Sequence, residues 1–339
     1  MGSIKSLLKS SVFQALHASG VTRIFASALG VKGVILLFHE IQDNFDSELW
    51  TGCPIVLFEK CIQWLKSTGW DIVPLAEGFR RLSSDEPTRR FAVITFDDGY
   101  RDNITQALPI LRRAQAPFTM YVPTDAITRE LYAWWLGLRE IFRKYDKVQI
   151  GAIGSSFWCP DLTSKRKALS KVTLWVLGNL GRIDEFRTIF SDYDISLQSL
   201  CDRYFLNEGE LRFLAKDPLA TIGAHTVTHR SLAALNTAEV WRELTENRAY
   251  LQTCLDRDVI HLAYPFGNPN TCGPREAELA LRAGFATAVT TSNQPILIRR
   301  QENLGLLPRV SIHSHWTLAY IDAEISGLTP ATFRSQLRG

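Results

Sequence analysis

Residues Phe91–Tyr100 read Phe-Ala-Val-Ile-Thr-Phe-Asp-Asp-Gly-Tyr. Five of the first six are β-branched or aromatic, the composition of a buried strand. Asp97 and Asp98 follow at once, then Gly99. Adjacent carboxylates at the end of an apolar strand raise each other's pKa, so the arrangement calls for a cation or a shared proton. A polar turn after a strand is the plainer reading of the same residues. A second stretch argues against it. Thr221–His229, Thr-Ile-Gly-Ala-His-Thr-Val-Thr-His, is another apolar segment, and it ends in two histidines, His225 and His229, four residues apart. One carboxylate with two imidazoles is a ligand set that suits a catalytic zinc with an open position for water.

Outward from these two stretches the chain alternates strands and helices. Val34–Phe38 is an apolar run ending at His39-Glu40. A helix is predicted from Phe58 to Gly69, a short strand at Asp71–Pro74, a helix through Phe79 and Leu82, a helix over Ala107–Ala114 and a strand over Pro117–Val122. The rhythm breaks between about Leu131 and Phe205, where apolar residues recur at helical periods with no flanking linker. This reads as a helical insertion. After the histidine stretch come a helix from Ala238 to Leu255, a strand Ile260–Pro265, a helix Pro274–Ala283, and strands at Ala286–Thr290 and Leu307–Ile312. A helix through Leu318, Ile321 and Ile325 closes the chain. About seven or eight strands with intervening helices predict an α/β fold, a TIM-like, distorted (β/α) barrel, whose sites form at the C-terminal ends of its strands. His39, Asp97, Asp98, His225, His229, Tyr264 and His313 all fall at or just past such ends.

The bulk properties agree. With 339 residues, 46% hydrophobic and 22% charged, the chain can bury a large core. A net charge of +3 without a Lys/Arg cluster is too small to argue for nucleic acid, and none is expected as a partner. Six scattered cysteines with no Cys-x-x-Cys pair read as reduced thiols. Residues 1–30 form a separate N-terminal amphipathic helical segment, and residues 31–339 carry the barrel. The first segment lacks an uninterrupted apolar run, which argues against a secretory signal and points to a cytoplasmic protein. It also lacks a membrane span, though contact of residues 1–30 with a membrane surface stays open.

At these residues the chain resembles the polysaccharide deacetylase family, the NodB-homology domains of carbohydrate esterase family four. Thr95–Gly99 matches the family's Thr-Phe-Asp-Asp-Gly motif, and His225–His229 its His-Ser/Thr-x-x-His motif. Ala263–Gly267, Ala-Tyr-Pro-Phe-Gly, is similar to the third motif of one branch. The resemblance implies that Asp98, His225 and His229 hold a divalent transition metal, expected to be Zn2+, and that Asp97 is the general base. It further implies that the Tyr264 backbone N–H supports the oxyanion and that a C-terminal histidine, His313, protonates the leaving nitrogen, with His315 and His39 as rivals. His261 stands where the family carries an arginine that orients the base. Arg309 on the last strand is either the replacement for it or a surface ion pair.

The expected activity is metal-dependent hydrolysis of an N-acetyl group on an amino sugar, in a polysaccharide or its precursor. The carbohydrate is then the partner. A non-catalytic glycan-binding protein on the same barrel, and a hydrolase of small acylated amines, are the alternatives. Trp134 and Trp135 either stack on a sugar or pack the core of the insertion. Tyr100 and Asn103 either shape the pocket or cap a helix.

Overall fold

The computed structural model describes residues 2–43, 49, 52–82, 89–186, 188–297 and 303–329. Residues 330–339, the end of the predicted barrel segment, lie outside these. Seven strands make the barrel wall: β1 (Val31–Phe38), β2 (Phe91–Phe96), β3 (Phe118–Val122), β4 (Ala220–Ala224), β5 (His261–Ala263), β6 (Thr287–Val289) and β7 (Val310–Ser311). They lie in the order β6-β5-β4-β3-β2-β1, all parallel, with β7 parallel to β1 on its other side. A bridge from Leu307 to Val289 ties the approach to β7 back to β6, so the sheet curls into a distorted barrel. Two short strands extend the same sheet. Asp71–Ile72 runs beside the start of β2, and Ile296–Leu297, absent from the sequence expectation, pairs antiparallel with the start of β1.

Parallel strands buried on both faces read as continuous apolar runs, and β1, β2 and β3 do. Alternate side chains face opposite ways. Ile35, Val93, Tyr121, Ala263, Val289, Ile296 and Leu307 fill the interior. Leu36, Phe38, Ile94, Phe96, Phe118 and Met120 pack outward against the helices. Gly223 on β4 is required by this interior, because a Cβ there would overlap the Tyr121 ring.

The insertion folds around a core of its own, containing Leu136, Leu138, Phe142, Val172, Phe186 and Cys201. Helices Trp134–Lys144, Leu162–Leu177 and Leu197–Tyr204 agree with its helical reading. An antiparallel pair, Lys147–Ile150 with Ser155–Trp158, does not. There Val148 and Ile150 are buried while Lys147 and Gln149 are exposed, a period of two too short to stand out between long helices.

The N-terminal segment forms helices Gly2–Ser19 and Val21–Leu29. They pack on the final helix, Leu318–Ile325. Phe13 meets Tyr320 edge-on at 5.2 Å, and the Asp322 carboxylate pairs with His17 Nδ1 at 2.7 Å and accepts from Thr22 Oγ1 at 2.8 Å. Among the described residues no helix is long and apolar enough to cross a membrane. All six cysteines are buried and unbridged.

Candidate active site

Alternation along β2 directs Val93, Thr95 and Asp97 to the interior, which would leave Asp98 facing out. The backbone reverses that. Asp98 has φ 69°, a left-handed conformation that Asp tolerates better than most residues. Gly99 follows at φ 70°, with Val122 against the place a Cβ would occupy. Both carboxylates are thereby buried at the barrel mouth, 3% and 5% exposed.

The β4 strand ends in the histidine loop, and its shape is held from within and from behind. The Thr226 hydroxyl accepts from the His229 N–H at 3.1 Å. Helix Thr237–Leu255 turns two polar residues towards the loop. Asn247 accepts from the His225 N–H at 2.9 Å, and Glu243 accepts from the N–H groups of Val227 and Thr228 and from the Thr228 hydroxyl at 2.6–2.9 Å. Glu243 and Asn247 interrupt an apolar stripe through Val240, Leu244 and Leu251. Two polar residues in an otherwise apolar helix stripe are the sequence sign of that structural duty.

Asp98 Oδ1 lies 3.3 Å from His225 Nε2 and 3.2 Å from His229 Nε2. One ligand atom from each of the three residues falls within 4.8 Å of the others. The His225 Nδ1 is 2.7 Å from the Ala263 carbonyl, which accepts only from N–H, so the proton sits on Nδ1 and Nε2 offers a lone pair. Asp98 Oδ1 is buried and, among the described residues, receives no well-aligned hydrogen bond. Three converging lone pairs with an orphaned carboxylate oxygen fit a cation.

Asp97 is held differently. Arg309 donates two parallel bonds to its carboxylate, each 2.7 Å, a third to the Thr290 carbonyl at 3.0 Å, and is fully buried. It is no surface ion pair. Burial pushes the Asp97 carboxyl upward, but the charge of Arg309 outweighs it and holds the pKa below the ordinary value. For Asp98, burial acts the same way and is overcome by His229 and His225, leaving the carboxyl well below the usual range.

The polysaccharide deacetylase family matches residues 84–283, more than half of the chain. This chain belongs to the polysaccharide deacetylase family. The Bacillus subtilis protein YxkH, named for the same family, is 20% identical over 82% of this chain and 70% of its own length. The Escherichia coli poly-β-1,6-N-acetyl-D-glucosamine N-deacetylase is 27% identical over 32% of this chain, a match that spans only 19% of that enzyme. Among solved structures, the Streptococcus pyogenes deacetylase PplD in complex with acetate superposes with a TM-score of 0.56 at 20% identity, over 84% of this chain and 94% of that one. IcaB from Ammonifex degensii gives 0.55 at 15% identity, over 88% and 97%. At such identities these structures speak for the fold.

Other expected residues of the deacetylase fall elsewhere. Tyr264 faces the helices, with its hydroxyl on the Gly305 carbonyl at 2.8 Å and its N–H bonded to Val289 at 3.2 Å. That N–H is engaged in the sheet, so the oxyanion role expected of Tyr264 is corrected. The segment bordering His229 is the next turn, where the Phe266 ring stands 5.2 Å from the imidazole. His261 is buried with Nδ1 on Thr287 Oγ1 at 2.8 Å, and burial pushes its pKa down to about 4. It takes no part in orienting Asp97.

The histidines near the C-terminus follow β7, the neighbour of β1. Leu37 on β1 pairs with Thr95 on one side and with Ser311 on the other, so along the sheet β1 lies between β2 and β7, although Arg309, just before β7, reaches Asp97 across the barrel interior. His313 is exposed, stacked on His315 at 5.8 Å and edge-on to Trp316 at 5.2 Å. His39, at the end of β1 itself, is near enough for its charge to lower both Asp97 and Asp98. Asn103 fixes this strand end, its buried amide donating to the His39 carbonyl at 2.8 Å. Asn103 opens a π-helical turn, Asn103–Ala107, a distortion often found beside functional sites.

Proposed function

We propose that this deacetylase hydrolyses the N-acetyl group of hexosamine units in a polysaccharide, with a zinc ion held by Asp98, His225 and His229. The observation that carries the reading is the convergence of these three residues beside an Arg309-clamped Asp97. The name of the Escherichia coli relative supports the substrate class. A divalent cation in this donor set supplies Lewis-acid polarisation of the acyl oxygen and acidifies the attacking water.

The chain's own residues perform the proton transfers. Asp97 accepts the proton of the attacking water. Arg309 keeps it ionised and aimed, at some cost in basicity, and an acidified water tolerates the weaker base. As the carbonyl carbon gains the water oxygen, the C–N bond breaks and the departing nitrogen needs a proton. We assign that proton to His39 rather than to His313, because His39 follows the Phe38–Phe96 pair of β1 and β2 and lies near enough for its charge to act on both carboxylates.

Acetate release from a β-1,6-linked N-acetylglucosamine oligomer tests the reading. Release that stops with chelator and returns with zinc is expected. Binding of the oligomer without acetate from the zinc-loaded chain would refute it. His39→Ala should slow amide substrates far more than activated esters, whose leaving groups need little protonation. If His313→Ala shows that signature and His39→Ala does not, the acid assignment is wrong.

A further inference from the structure

The insertion reaches the metal-binding residues through one ring. Trp135 is half-buried, and its ring centroid lies 5.2 Å from that of His229. Trp134, one position earlier, is 3% exposed and belongs to the insertion's core. Neighbouring helical residues point about 100° apart, so Trp134 fills the core while Trp135, packed on the edge of that core, also reaches the site. Trp135 Nε1 donates to the Tyr100 hydroxyl at 2.8 Å, and Tyr100 is buried two residues beyond Asp98. The indole's polar atom is thus engaged, leaving its face apolar.

The seat of this ring is fixed by the barrel. Tyr100 bridges to Phe205 where the insertion returns. The Leu206 N–H bonds to the Gly99 carbonyl at 2.9 Å, and the Arg101 N–H to the Tyr204 carbonyl at 2.8 Å. On the outgoing side, Arg139 forks onto Glu40 at the end of β1, at 2.7 and 2.9 Å, both side chains buried. The insertion is strapped to the residues that directly follow the two aspartates and to the end of β1.

We propose that Trp135 is a specificity-determining wall of the substrate cleft, presenting its face to the C–H face of a hexosamine ring, with Phe266 as a second aromatic border. The proposal rests on the deacetylase reading of the same site and adds what the insertion is for. A sugar ring has one apolar face, and a rigid aromatic beside convergent polar groups is how such a face is recognised.

Calorimetric binding of a β-1,6-linked N-acetylglucosamine pentamer to zinc-loaded protein tests it, with Asp97→Asn as the parent to prevent turnover. Trp135→Phe retains a flat ring, whereas Trp135→Leu retains only apolar bulk. The Phe variant should bind within about threefold of the parent and the Leu variant at least tenfold more weakly, both with parental zinc content and melting temperature. Equal affinity in all three proteins, equal weakening in both variants, or no binding by the parent would overturn the wall. Acetate release by the Asp97-containing chain is scored separately. Trp135-dependent binding with no acetate released refutes the deacetylase reading and leaves the wall standing. Acetate release with Trp135-independent binding does the reverse.

Discussion

Two buried arginine–carboxylate forks lie at the mouth of this barrel, nearly identical in geometry and different in purpose. Arg309 holds Asp97 at 2.7 Å through both nitrogens, and Arg139 holds Glu40 at 2.7 and 2.9 Å. The first is inside the barrel, where its carboxylate belongs to the reacting site. The second joins β1 to the insertion, with the Arg139 guanidinium also over the Tyr204 ring at 4.8 Å. Burial alone would lower the Arg139 pKa, but the Glu40 charge overrides it and raises it. The same fork therefore aims the proposed base in one place and docks a folding unit in the other. Chemistry at the carboxylate, rather than the strength of the pair, separates the two.

The sharpest way to break this comparison is to neutralise each carboxylate. Asp97→Asn should lower deacetylation on the order of 100- to 10,000-fold with zinc content unchanged. Glu40→Gln should leave most of the rate in protein that remains folded. Equal losses in kcat from the two would make Glu40 part of the reaction and erase the distinction.

Stability should treat the two pairs alike. Truncating one partner strands a buried charge, so Arg309→Ala and Arg139→Ala should each cost about 3–5 kcal/mol in denaturant unfolding. Replacing both partners by apolar residues, as in Glu40→Leu with Arg139→Met, should recover most of that loss. Asp97→Leu with Arg309→Met should recover stability without activity. A Glu40 pair that cannot be replaced this way has a role beyond docking.

A smaller effect is expected behind the histidine loop. Glu243→Gln removes one of the two oxygens that accept from Val227 and Thr228. Zinc affinity, measured by competition with a chelator, should fall about 10- to 100-fold. Unchanged affinity would show that Thr226 and Asn247 suffice to hold the loop.

The smallest is a pH effect within the barrel wall. The folded pKa of His261 is about 4, below the ordinary 6.5, because burial disfavours its charged form. Between those values the unfolded chain binds more protons, so this contribution to stability is complete above pH 6.5 and is lost as pH falls towards 4. Near pH 5.5 the loss is on the order of 1 kcal/mol. His261→Gln should remove that much of the difference in unfolding free energy between pH 7.5 and 5.5. If the variant loses as much stability as the parent, His261 is not the group responsible.

Local chemistry made much of this molecule legible in advance. Apolar runs ending in Asp97-Asp98 and in His225 announce buried strands whose ends form a candidate site, because a charge survives there only with a partner. Strand–helix alternation announced the barrel, because parallel strands require crossovers. Only the tertiary structure decided which side each residue faces and what it meets across the sheet. A left-handed turn at Asp98 brings two adjacent carboxylates into one site. Outward alternation removes Tyr264 from it. Arg309 finds Asp97 across 212 residues, Glu243 and Asn247 reach the histidine loop from another helix, and Trp135 rather than Trp134 reaches His229. The pairing of β1 with β2, which sets His39 next to the end of the strand carrying Asp97, comes from strand order. Periodicity along a chain fixes a residue's environment only to within its own element. Partners hundreds of residues away are set by how the sheet closes and which strands become neighbours.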